Sequence, residues 1–146
     1  MDSAPPDAAV APRIAVQQVS RRPGSETGQW IVRWRIENLG PGLLTLETAW
    51  LPHGQFRGER TVLRPSPTLD AGQATELELR VHWDEPAGTI VENAFVVLTM
   101  RWRHAPWRML TRVTVGVDAA SGPDARTQNT TSQPIGFSQA SSSSIE

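Results

Sequence analysis

The sequence predicts an all-β domain, an antiparallel sandwich of about seven strands with disordered tails, and three observations carry that prediction. Between Arg13 and Asp118 no window has the apolar spacing of an amphipathic helix, whereas alternation of period two recurs. The alternating segments are short and are punctuated by clusters of Gly, Pro, Asn and Asp, the residues of tight turns. Outside residues 13–118 the pattern lapses. Residues 1–12 are rich in Ala and Pro, and residues 119–146 are dominated by Ser, Thr and Gln, compositions that bury too little surface to offset the entropy of ordering.

Taken in order, a first strand is expected over Ile14 to Ser20. The next, residues 29–37, places Trp30, Val32, Trp34 and Ile36 on one face and Arg33, Arg35 and Glu37 on the other, and stops at Asn38-Leu39-Gly40-Pro41-Gly42. Leu43 to Leu51 sets Leu44, Leu46, Thr48 and Trp50 opposite Glu47 and ends at Pro52-His53-Gly54. Gln55 to Leu63 is weaker and is closed by Pro65 and Pro67, as suits an edge, since proline donates no ladder hydrogen bond. After Leu69-Asp70-Ala71-Gly72-Gln73, residues 75–83 alternate Leu77, Leu79, Val81 and Trp83 with Glu76, Glu78, Arg80 and His82. Glu92 to Arg103 is apolar on both faces over much of its length, which places it at the centre of a sheet. His104-Ala105-Pro106 turns the chain, and Met109 to Val117 is the last strand.

Short antiparallel strands at this spacing fit an immunoglobulin-like layout. The run Trp34-Arg35-Ile36-Glu37-Asn38-Leu39-Gly40, followed by Leu69-Asp70-Ala71-Gly72-Gln73 ahead of an alternating strand, resembles the bacterial immunoglobulin-like domains of the CARDB and fibronectin type over residues 14–117. The resemblance implies a noncatalytic module. In such a layout strand 29–37 pairs with 75–83, bringing Arg33 and Arg35 across from Glu76, Glu78 and Arg80 on a solvated face. The second sheet holds 43–51, 92–103 and 108–117. Its outer face then carries Leu43, Thr45, Glu47, Ala49 and Leu51, with Phe95, Val97, Thr99, Arg101 and Arg103, and with Leu110, Arg112 and Thr114. That face is too apolar to be left in water, so a partner is expected to cover it.

Composition removes most other roles. The 146 residues contain 14 Arg, no Lys, no Cys and no Tyr, and the net charge is -1. Thiol chemistry, disulfides, Schiff bases and phenolic acid–base catalysis are therefore absent. The three His, at positions 53, 82 and 104, lie in separate segments with no spacing for a metal, and there is no nucleophile elbow or phosphate loop. We expect no enzyme activity, no cofactor and no metal. The charge balance gives no reason for nucleic acid or membrane as partner. The start of the chain lacks the basic and apolar regions of a secretory signal, and no apolar run reaches the ~18 residues of a membrane span, so a cytoplasmic location is expected. Asn129-Thr130-Thr131 matches a glycosylation acceptor only by chance in that setting, and Pro134-Ile135-Gly136-Phe137 is an apolar island in the tail.

The functional expectation is a noncatalytic protein–protein interaction or structural module, bound to a protein partner or to its own copy. The partner-binding candidates are Phe95, Val97 and Leu110 on the sheet face, with Arg101, Arg103, Trp107, Arg108 and Arg112 of the Arg/Trp hairpin 101–112. Alternation buries Trp30, Trp34, Trp50, Trp83 and Trp102 and leaves Trp107 as the exposed indole. The alternative is a site for an anionic polymer, nucleic acid or acidic glycan, on that hairpin, where Arg forks grip anions and Trp107 stacks. A third candidate is protease inhibition through the loop Pro52–Arg57.

Overall fold

The computed structural model describes residues 10–117 and 122–136. Among these residues nine strands follow one another: β1 (Ile14–Pro23), β2 (Gln29–Asn38), β3 (Leu44–His53), β4 (Phe56–Val62), β5 (Thr68–Leu69), β6 (Ala74–His82), β7 (Ile90–Trp102), β8 (Ala105–Val117) and β9 (Pro123–Pro134). All pairings are antiparallel, in the order β1-β2-β6-β4-β3-β7-β8-β9, with β5 continuing beside β3. Among the described residues no helix is long and apolar enough to cross a membrane.

The result is a sheet that curls almost into a barrel. Two joints complete the curl. At the first, β6 and β4 share the single pair Arg57↔His82. Gly58 is required there, because a Cβ at that position would stand 2.5 Å from the carbonyl oxygen of Arg80. At the second, β1 meets β9 through side chains. The Gln18 amide donates to the Pro123 carbonyl (3.0 Å) and accepts from the Ala125 N–H (2.8 Å), so it substitutes for a peptide unit. Thr127 Oγ1 donates to the Val16 carbonyl at 2.6 Å.

Strand β9 corrects the expectation of a disordered tail over 119–146. It pairs with β8 from Val117↔Pro123 to Trp107↔Pro134. The reading failed because β9 is polar: it contributes little to the core beyond Ala125, and its Thr residues favour an extended backbone without being apolar. The sandwich of seven strands is likewise corrected to nine strands and a nearly closed barrel, β9 and the two-residue β5 being the additions. Residues 1–9, 118–121 and 137–146, which hold most of the expected N-terminal tail, the rest of the C-terminal one and Phe137 of the apolar island, lie outside the described residues.

The core runs between the two halves of the curl. Trp34, Phe56 and Trp83 form its aromatic centre, with Phe56 edge-on to both indoles at 6.2 and 5.9 Å. Neither indole N–H finds an acceptor among the described residues, so packing among the rings and the aliphatic core, without indole hydrogen bonds, holds this cluster. Asn38 is fully buried at the barrel end. Its amide donates to the carbonyls of Gly42 and Leu69 and accepts from the Gly40 N–H, tying the 39–43 loop to β5.

Candidate interaction face

The expected pairing of residues 29–37 with 75–83 is present as β2–β6, in the register Arg33↔Glu78 and Arg35↔Glu76. The outer face of this half is a lattice of ion pairs. Glu78 accepts from Arg22 (2.7 and 3.1 Å) and from Arg33 (2.8 Å), Arg33 reaches Glu76 (3.5 Å), and Arg35 pairs with Glu37 (3.0 Å). Hydrogen bonds from Arg22 and Arg33 pull the Glu78 carboxyl down to about 2, and raise both guanidinium groups in turn. Every charge named here has an opposite partner.

The outer face of the other half differs. Strand β7 lies between β3 and β8, and its register sets Val97 between Trp50 and Leu110, Thr99 between Thr48 and Arg108, and Phe95 beside Arg112. Val97 is only 6% exposed, yet it lies outside the core cluster. The side chains beside it on this outer face shield it. Phe95 and Leu110 are half-buried, and Trp50 remains 40% exposed at the end of the row. Thr48 and Thr99 join their hydroxyls across the strands above the row.

Trp50 was expected inside, with Ala49 and Leu51 outside, and the reverse is found. Glu47 is an extra residue in β3, inserted between the pairs Leu46↔Met100 and Thr48↔Thr99. A bulge of one residue moves all later side chains to the opposite face. It therefore buries Ala49 and Leu51 and delivers Trp50 to the outer row beside Val97. Alternation alone does not reveal Trp50 as a site residue for this reason, nor Asn129, Thr131 and Gln133 of β9, which stand beside Arg112, Leu110 and Arg108.

The hairpin residues do not form one cationic tip. Arg103 and His104 make the two-residue turn between β7 and β8 with φ of 53° and 65°, a left-handed geometry that bulky residues rarely adopt. Arg103 stacks on Trp102 at 4.2 Å, and Arg101 pairs with Glu47 at 3.2 Å. Trp107 corrects the expectation of an exposed indole. It pairs with Met100, faces inward, and packs edge-on against Trp102 at 6.0 Å. Arg108 and Arg112 instead share the outer face with Leu110. The Pro52–Arg57 loop is a tight hairpin turn in which Arg57 donates to the Gly54 carbonyl and Phe56 is buried, so it presents no extended segment.

A groove of about 970 Å³ opens near the β4–β6 joint, and Ile31, Trp50, Arg57, Arg80 and His82 are among the residues that line it. Among the described residues no three His, Asp or Glu side chains come together to hold a metal. No protein-family model matches the chain, and no curated protein matches it significantly.

Proposed function

We propose that this protein is a noncatalytic, cytoplasmic interaction module that docks a protein partner on the outer face of β3, β7, β8 and β9. The observation that carries the reading is the row Trp50–Val97–Leu110 on the half of the barrel opposite the ion-pair lattice, where Trp50 is exposed and Leu110 half-buried on either side of the covered Val97. Antiparallel sheets that face water on one side keep that side polar, so an apolar outer row beside a polar outer lattice marks a contact surface. Kinship with immunoglobulin-like modules of the CARDB and fibronectin type belongs to the same proposal. It is supported by the neighbours β1-β2-β6 and β3-β7-β8, the order such sandwiches use, with β9 as an addition.

The test is affinity capture from nuclease-treated lysate with the wild-type chain and with a Phe95→Ser, Val97→Thr, Leu110→Ser variant whose circular dichroism matches. A discrete protein retained by wild type and lost by the variant is the expected result. Equal retention by both ends the reading. The anionic-polymer alternative gains no support from the geometry, since Arg101 is paired with Glu47 and Trp107 is turned inward.

A further inference from the structure

Along β8 the outward positions alternate Arg108, Leu110, Arg112, so two cations bracket the apolar row. Among the described residues neither has a carboxylate partner. Arg112 donates to the side-chain oxygens of Asn129 (3.1 Å) and Asn93 (3.3 Å), and Arg108 lies half-buried between Thr99 and Gln133. Two carboxylates near this surface are already engaged, Glu47 by Arg101 and Asp124 by Arg126. On the β2–β6 half Arg22, Arg33 and Arg35 meet carboxylates, while Arg80 has no carboxylate partner among the described residues; what sets Arg108 and Arg112 apart is that they flank an apolar side chain.

From this pattern we infer that the occupant of the face is an acidic polypeptide carrying an apolar side chain between two carboxylates. The inference rests on the docking reading above and names the chemistry of its partner. An extended segment repeats its side chains on one face about every 6.8 Å, the same step that separates Arg108, Leu110 and Arg112 along β8. Carboxylates at the first and third of three such positions reach the two guanidinium groups, whose planar forks take them in pairs of hydrogen bonds. The apolar side chain at the middle position then covers the exposed part of Leu110, beneath which Val97 is already buried. A second copy of this chain fits poorly, because the face placed on itself brings one cation-flanked row against another. A nucleic acid supplies the anions but no aliphatic group for the row.

The probe is a soluble synthetic peptide repeating Glu-Thr-Leu-Thr-Glu, added to the full chain. Controls are the same repeat with Lys for Glu, and polyglutamate. Binding is read by fluorescence anisotropy and by amide shift changes in the NMR spectrum. We expect the Glu repeat to bind with shifts centred on Val97, Thr99 and Leu110, and both controls to bind at least about tenfold more weakly. An Arg108→Glu, Arg112→Glu variant with unchanged circular dichroism loses at least the same factor, and so does Leu110→Ser. Equal binding of the Lys repeat, or undiminished binding by the charge-reversed variant, overturns the acidic assignment. If Leu110→Ser still weakens binding in that case, the docking face stands without it. Equal binding of polyglutamate overturns the inference in favour of a plain polyanion site. Dimerisation abolished by Leu110→Ser overturns it in favour of a second copy, and so does failure of the Glu repeat to bind at all in favour of some other partner.

Discussion

At the scale of single residues, the side chains that organise the barrel are those whose polar groups have a unique set of partners. Asn38 makes three hydrogen bonds while fully buried, so Asn38→Ala strands the carbonyls of Gly42 and Leu69 and the N–H of Gly40 away from side-chain partners. Each buried group left unpaired costs about 1–3 kcal/mol, and the expected loss is about 2–4 kcal/mol in urea unfolding after water reaches some of them. A loss under about 0.5 kcal/mol means that the 39–43 loop holds its shape without Asn38. Phe56 supports two indoles at once, and Phe56→Ala is expected to cost about 3–5 kcal/mol by the same measurement. Glu78 adds a pH signature. Its carboxyl sits at about 2 in the folded protein, below its value of ~4.3 in an unfolded chain, so the stabilisation is complete above the unfolded value and is lost as pH falls from there towards 2. Wild type is therefore expected to exceed Glu78→Gln in thermal midpoint at pH 6 and to converge with it near pH 2. A gap that persists unchanged across that window shows that the Arg22 and Arg33 contacts do not depend on the charge of Glu78.

At the scale of strands, what the sequence made legible and what it hid follow one rule: alternation is readable and its interruptions are not. Residues 29–37 and 75–83 alternate cleanly, so the burial of Trp34, Val81 and Trp83 could be read directly, while their pairing followed only from the assumed immunoglobulin-like order. In β3 the same reading is correct up to Leu46 and inverted after it, because nothing in Glu47-Thr48 announces an extra residue. Trp107 was a different failure. Counting by twos from the inward Met109 places it inside, but the expected strand begins only at Met109, whereas β8 begins at Ala105 and carries the alternation back through Trp107. The candidate face was thus legible in Phe95, Val97, Leu110 and the β8 arginines, and illegible in Trp50 and in the whole of β9. That strand also carries a prediction. Without residues 122–146, β8 becomes a long edge whose open ladder can pair with another chain. The truncated protein is expected to self-associate in light scattering at concentrations where the full chain stays monodisperse, and a monodisperse truncation means that β8 is protected without β9.

For the molecule as a whole, the two joints that close the curl differ in kind, and this sets an order of opening. The β4–β6 joint is a backbone crossing made close by Gly58, with Phe56 of β4 in the aromatic centre. The β1–β9 joint consists of the Gln18 amide and the Thr127 hydroxyl, with no main-chain ladder between the strands. Local opening draws on the parts with the fewest buried contacts, so the barrel should unlock at β9 well before β7, which has a ladder on each side and is apolar on both faces over Val96–Leu98. Native-state hydrogen exchange checks this amide by amide. Amides of Val96, Val97 and Leu98 should exchange only through global unfolding, and those of Asn129 to Gln133 through a smaller opening. Gln18→Ala removes the surrogate peptide unit, so it should hasten exchange along β9 by about tenfold, roughly 1.4 kcal/mol, and leave β7 almost unchanged. Equal acceleration on both strands would mean that the barrel opens as one unit and that the seam is as firm as the ladders. A seam that opens alone leaves the Trp50–Val97–Leu110 row intact on β3, β7 and β8, and keeps Asn129, Thr131 and Gln133 on its border, because the β8–β9 ladder and not the seam holds them there.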